Sequence, residues 1–152
     1  MFHVIDDLPE LRGVLKDLIE CAGYSCMQFD SAESYLEYFY SPEFVAPVAI
    51  LSDYQMPGKT GLELIKEVRG KLPLQKAVII SGTYAPESHA SIKSHLCHCI
   101  AKPYRIKEMF SLLQRLLDCE KKYQSESAPL HARCEFDQKH MCPHCSGSAV
   151  TG

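Results

Sequence analysis

Short strand-like runs alternate with amphipathic stretches over residues 1–123, and this alternation leaves few folds open. Phe2 to Ile5, Ser25 to Phe29, Val48 to Ser52, Ala77 to Ile80 and Cys97 to Ala101 read as strands. The segments between them carry helical spacing. Leu11, Val14, Leu15, Leu18 and Ile19 make one stripe on a helix from about Pro9 to Cys21. Pro9 suits its first turn and Gly23 its stop. Ser31 can cap a second helix bearing Ser34, Tyr35, Leu36 and Tyr38. A third starts near Thr60 and carries Leu62, Leu64, Ile65 and Val68. A fourth, Pro86 to about Leu96, has a thin stripe. The last, Ile106 to about Tyr123, carries Ile106, Met109, Phe110, Leu112, Leu113, Leu116 and Leu117, more apolar surface than one stripe requires. The expected fold is α/β: a doubly wound, five-stranded parallel sheet with helices on both faces.

The chain has 152 residues, enough for one domain and an appendage. Its formal charge is -3 and it has no long basic run, so phosphate-driven binding of nucleic acid is not expected. The N-terminus passes almost at once into a strand, and no signal peptide is expected. No apolar run is long enough for a bilayer, so neither a membrane span nor a membrane partner is expected. Cys21, Cys26, Cys97, Cys99 and Cys119 are scattered through the expected helices and strands. They read as reduced thiols of a cytoplasmic protein. Cys134, Cys142 and Cys145 cluster near the C-terminus.

The expected strands end in chemically active residues. Asp6-Asp7 follow the first, Asp53 the third, Ser81 the fourth and Lys102-Pro103 the fifth. In an open parallel sheet these ends share one edge, where such folds bind ligands. Singly, each has an ordinary reading. Asp53 would be a turn residue or cap, Asp6-Asp7 a helix cap, Ser81-Gly82 a turn and Lys102-Pro103 surface. Together they stand in register at successive strand ends, which is improbable by accident. Aspartate can act as a nucleophile and form an aspartyl phosphate. Asp6, Asp7 and Asp53 in one crevice repel one another and favour a hard divalent cation. The charges of three carboxylates, one Mg²⁺ and one lysine cancel, so an anionic phosphoryl donor can approach. Lys102 would pair with phosphoryl oxygens and Ser81 would hydrogen-bond another. Gly58-Lys59-Thr60 imitates the end of a phosphate-binding P-loop, but its earlier glycine would fall at Asp53. It reads instead as the loop into the third helix.

At these residues the chain resembles the response-regulator receiver domain of two-component signalling, over about Met1 to Tyr123. The resemblance rests on Asp6-Asp7, on Asp53 followed by Met56-Pro57-Gly58, on Ser81 and on Lys102-Pro103. It implies a flavodoxin-like strand order 2-1-3-4-5. It implies that Asp53 accepts a phosphoryl group from a histidine kinase or histidine phosphotransfer protein, with Ser81 and Lys102 assisting. It implies Mg²⁺ held by Asp7, Asp53 and the main-chain carbonyl of Gln55, with Asp6 acting through water. It also implies a cis Lys102-Pro103 bond. Gln55 and Thr83 flank the site in the family. One position departs: where receivers carry Tyr or Phe three residues before the lysine, this chain has Cys99. A small thiol cannot reproduce the inward swing of an aromatic. Tyr104 is a candidate to take over part of that role.

Two readings of the last helix stay open. Its surplus apolar surface is core plus a short extension, or part of a homodimer or partner face biased by phosphorylation. That face would combine the helix over Pro86 to Leu96, the fifth strand and the last helix.

Residues 124–133 read as a linker, with the run Gln124-Ser125-Glu126-Ser127-Ala128-Pro129. Residues 134–152 form a Cys/His tail too small for its own core. Cys142-Pro143-His144-Cys145 is the size of one zinc knuckle, and Cys134 with His131 or His140 would complete a tetrahedral Zn²⁺ set. The same four residues look like the active-site motif of bacterial disulfide-forming oxidoreductases. A disordered tail is the third reading. Cys97 and Cys99, alternate residues of one strand, are expected in the core.

The expected function is therefore a phosphoacceptor that signals through protein contacts or passes phosphoryl groups along a relay. It is not expected to be an enzyme beyond its own phosphorylation and dephosphorylation. A metal- or redox-responsive adaptor built on the tail is the alternative. A haloacid-dehalogenase-type phosphohydrolase is a second, but that chemistry needs an acid where Gln55 stands.

Overall fold

The computed structural model describes residues 1–82 and 96–124, the side chains of 122–124 excepted. Five strands, β1 Phe2–Ile5, β2 Cys26–Phe29, β3 Ala49–Asp53, β4 Lys76–Ser81 and β5 His98–Ala101, form one sheet. Four helices are described: α1 Pro9–Cys21, α2 Ala32–Phe39, α3 Gly61–Lys71 and α4 Ile106–Gln124. All pairings are parallel and the order is β2-β1-β3-β4-β5, the expected doubly wound arrangement.

Every residue of β1, β3 and β4 is buried, because helices cover both faces of the sheet. Alternate residues serve opposite faces. Phe2, Val4, Ala49, Leu51, Val78 and Ile80 pack with Leu15 and Ile19 of α1 and with Met109, Leu112, Leu113 and Leu116 of α4. Ile5, Ile50, Ala77 and Ile79 pack with Tyr35, Leu36 and Phe39 of α2 and with Leu64, Ile65 and Val68 of α3. Most of the surplus apolar surface of α4 is thus core: Met109, Leu112, Leu113, Leu116 and Leu117 are buried, while Ile106 is exposed.

Local chemistry sets the helix ends. Ser31 Oγ accepts from Ser34 N at 3.1 Å, the expected cap of α2. Thr60 and Glu63 form a capping box at α3, so Gly58-Lys59-Thr60 is a loop into a helix. Pro9 opens α1, which has no side-chain cap. Gly23 and Gly58 hold φ of +87° and +82°, where an L side chain is strained.

One expectation is corrected, that Cys97 and Cys99 share one face of a strand. Cys97 precedes β5, which begins at His98, so strand alternation does not reach it. Cys97 lies in the α1/α4-side core, while Cys99 packs on the α2/α3 side. The helix expected over Pro86 to Leu96 lies outside the described residues except for Leu96, which is buried but not helical. The linker and tail, including Cys134, Cys142, Cys145, His131, His140 and His144, also lie outside, as does Thr83. Among the described residues no helix is long and apolar enough to cross a membrane.

His3 is fully buried on the α2/α3 side of β1. Its Nδ1 lies 3.0 Å from the Tyr35 hydroxyl, and rings of Phe29, Tyr35, Tyr38 and Phe44 surround it at 5.5–6.1 Å. Its Nε2 has no hydrogen-bond partner. Burial, then the nearby N-terminal ammonium, push the imidazole down to about 4.

Candidate functional site

Parallel pairing brings the C-terminal ends of β1, β3, β4 and β5 to one edge, and the chain crosses from one side of β1 to the other there. Asp53 is the last residue of β3 and Ser81 the last of β4. Asp6 and Asp7 follow β1, and Lys102 follows β5. One carboxylate oxygen from each of Asp6, Asp7 and Asp53 lies within 4.8 Å of the others. Lys102 Nζ is 3.2 Å from Asp6 Oδ2 and 3.2 Å from Asp53 Oδ1. Asp6, Asp53 and Ser81 are buried, and Asp7 is half-buried. Gln55 is exposed in the loop after β3.

The backbone around these groups is tightly held. Asp6 Oδ1 accepts from Leu8 N at 2.9 Å, and its carbonyl accepts from Arg12 Nη1 at 2.6 Å. The Asp6 carboxylate therefore fixes the turn before α1 as well as facing the crevice. Ser52 Oγ donates to the Asp53 carbonyl at 2.9 Å. Tyr54 N donates to Ile80 O at 3.2 Å and Gly61 N to Tyr54 O at 2.9 Å. A Cβ on Gly61 would fall 2.0 Å from the Asp53 carbonyl oxygen, so only glycine can open α3 this close to the site. Lys102 N donates to Ser81 O at 2.7 Å, and the Lys102-Pro103 bond is cis, as the resemblance implied. Arg12, Ser52 and Gly61 were not singled out from sequence. Only Gly61, at the head of a helical stripe, left a signal there.

The electrostatics follow from crowding. Burial raises the Asp53 pKa; Lys102 pulls it back by charge and hydrogen bond, and Asp6 pushes it up again. For Lys102, burial acts to lower the pKa, but the Asp6 and Asp53 carboxylates outweigh it and the net shift is upward. Lys102 thus stays charged between two acids. The donor set fits a hard cation: all its atoms are carboxylate oxygens. Opposite ligands of one Mg²⁺ stand about 4.2 Å apart, so the cluster has the size of one ion with one contact made through water.

Cys99 and the aromatic nearest it beyond the lysine, Tyr104, pack in different layers. Cys99 is half-buried against the α2/α3-side core, and burial raises its thiol to about 11. Tyr104 packs against the α1/α4-side core, across the sheet.

Comparison with known proteins agrees with this geometry. Residues 2–114 match the family model described as "Response regulator receiver domain". The DNA-binding transcriptional regulator NtrC of Klebsiella pneumoniae is 28% identical over 132 residues, covering 85% of this chain and 26% of that protein. The chain therefore spans about a quarter of the length of that relative. Because that relative carries a DNA-binding name, the expectation that nucleic acid is excluded has no support from the comparison. The crystal structure of a response regulator receiver domain protein from Clostridium thermocellum superposes with a TM-score of 0.70 at 18% identity, covering 79% of this chain and 95% of that one. The response regulator TrrA of Thermotoga maritima, solved in complex with Mg(2+)-BeF, superposes with a TM-score of 0.66 at 24% identity, covering 76% and 96%. With the strand order, the acidic cluster and the strand-end lysine in place, the match over residues 2–114 shows that the chain belongs to the response regulator receiver domain family of two-component systems.

Proposed function

We propose that Asp53 accepts a phosphoryl group from a phosphohistidine of a kinase or phosphotransfer protein, and that the reaction depends on Mg²⁺. The observation that carries this is the placement of Lys102 Nζ, 3.2 Å from both Asp6 and Asp53, beside three mutually close carboxylates. In the transfer, an Asp53 carboxylate oxygen attacks phosphorus, a P–O bond forms and the P–N bond to the donor histidine breaks. The histidine leaves with the bonding pair and takes a proton. Asp7, Asp53 and the Gln55 carbonyl would hold Mg²⁺ directly and Asp6 through water, and bound Mg²⁺ would neutralise charge on the transferring group. Lys102 then exchanges a carboxylate oxygen for a phosphoryl oxygen, and the Ser81 hydroxyl bonds another. The Mg(2+)-BeF complex of TrrA supports this reading.

Residues 1–123 would form the phosphorylated unit in the cytoplasm, with output through protein contacts and a homodimer as one form of that output. No observation favours the adaptor built on the tail, whose residues lie outside those described. Nor does one favour the phosphohydrolase, since Gln55 supplies no acid.

The test is intact mass after incubation with acetyl phosphate, with and without Mg²⁺, on wild type and Asp53→Asn. The reading expects one phosphoryl group on wild type only when Mg²⁺ is present. A gain without Mg²⁺, or an equal gain in the variant, overturns it.

A further inference from the structure

A hydrogen bond from outside the site sets the far end of the loop that carries Gln55. The near end is held by Tyr54, which bonds to β4 and to the start of α3. Met56 is buried against the α2/α3-side core. The chain then turns through Gly58 at φ +82°, and Lys59 N donates to Glu33 Oε1 on the first turn of α2 at 2.9 Å. A Cβ on Gly58 would stand 2.6 Å from that same oxygen. The Glu33 carboxylate thus occupies the place a side chain at Gly58 would need. Its pKa is lowered, chiefly by the Lys59 amide, so the ionised acid is the form that holds the loop. A second brace runs beside it. Lys59 Nζ lies 2.5 Å from Glu67 Oε2, and the Tyr40 hydroxyl donates to Glu67 Oε1 at 3.0 Å.

We propose that Glu33 is a positioning residue for divalent-cation binding: by holding the Lys59 amide it keeps the Gln55 carbonyl aimed at the carboxylate cluster. The inference rests on the proposed reading of that cluster as a Mg²⁺ site. Glu33 itself stays outside the cluster. The side-chain cap of α2, Ser31 Oγ accepting from Ser34 N, does not involve Glu33, and the metal-free unfolding below measures what a first-turn acid adds to the helix.

The experiment is calorimetric titration of Mg²⁺ into wild type, Glu33→Ala and Glu33→Gln, with metal-free thermal unfolding of each. Alanine removes the acceptor and should weaken Mg²⁺ binding about three- to tenfold, the fold-change to which the net worth of one ordinary hydrogen bond converts. Glutamine keeps a carbonyl acceptor and should restore most of the affinity. If Glu33→Ala binds Mg²⁺ as wild type does, whatever its melting temperature, Glu33 is only structural and the proposal fails while the Mg²⁺ site stands. If Glu33→Gln binds as weakly as the alanine variant, the hydrogen bond is not the cause and the proposal fails too. If wild type binds no Mg²⁺, this inference and the reading of the site fall together.

Discussion

His3 should make the fold sensitive to mild acid. Its folded pKa is about 4 against 6.5 for a free imidazole. Between those values the unfolded chain binds a proton that the folded chain refuses. Stability therefore rises with pH through this window and is lost as pH falls. One pKa unit corresponds to about 1.36 kcal/mol, so the full loss is about 3 kcal/mol. Between pH 7 and pH 4.5 the His3 share should be about 2.5 kcal/mol. The surroundings give no relief to a charged ring: Nε2 has no partner, Nδ1 meets only the Tyr35 hydroxyl, and aromatic rings close the rest. The comparison variant is His3→Phe with Tyr35→Phe. Replacing His3 alone would strand a buried hydroxyl at a cost of about 1–3 kcal/mol. Urea unfolding of both proteins at pH 7 and 4.5 isolates His3, because every other titrating group is shared apart from Tyr35, which stays neutral at both pH values. Wild type should lose about 2.5 kcal/mol more than the double variant. An equal loss in both would refute the reasoning, since His3 would then carry its proton in the folded state.

Three further outcomes are expected at the site. Asp53→Asn should raise the metal-free melting temperature at neutral pH. The Asp53 pKa is raised by burial, so its stabilising share exists only below the carboxylate range and is lost as pH rises. Lys102→Ala should bind Mg²⁺ more tightly in a titration, because a competing ammonium 3.2 Å from two carboxylates is gone, yet accept phosphate more slowly from acetyl phosphate. Gly61→Ala should destabilise by about 3 kcal/mol in urea unfolding, the upper range of overpacking, because the new methyl meets the Asp53 carbonyl oxygen at 2.0 Å and β3 or α3 must move.

Much of the fold and the site was legible because parallel α/β folds write their order into the chain. Each strand of the core reads as an apolar run, and the residues at its C-terminal end must lie on one edge of the sheet. That is why Asp6, Asp7, Asp53, Ser81 and Lys102 could be gathered before any geometry was known. The supporting contacts left no such trace. Arg12 reaches the Asp6 carbonyl and Glu33 reaches the Lys59 amide by hydrogen bonds that have no period in the sequence. Asp53 belongs to β3 rather than following it, a shift of the size by which strand ends always vary. Alternation over a strand starting at Cys97 puts Cys97 and Cys99 on one face; β5 starts one residue later, and the two lie on opposite sides of the sheet. Tyr104 was a candidate replacement by sequence nearness alone, and which layer it packs into could not be read from that nearness.

The central claim is that Asp53 itself becomes the acyl phosphate. Borohydride reduction after acetyl phosphate and Mg²⁺, with peptide mass mapping of the product, tests it most directly, because an aspartyl phosphate is reduced to homoserine. The account predicts homoserine at position 53 in wild type, only with phosphodonor and Mg²⁺ both present. Homoserine at Asp6 or Asp7 instead, or at no position in a folded protein that binds Mg²⁺, would contradict it.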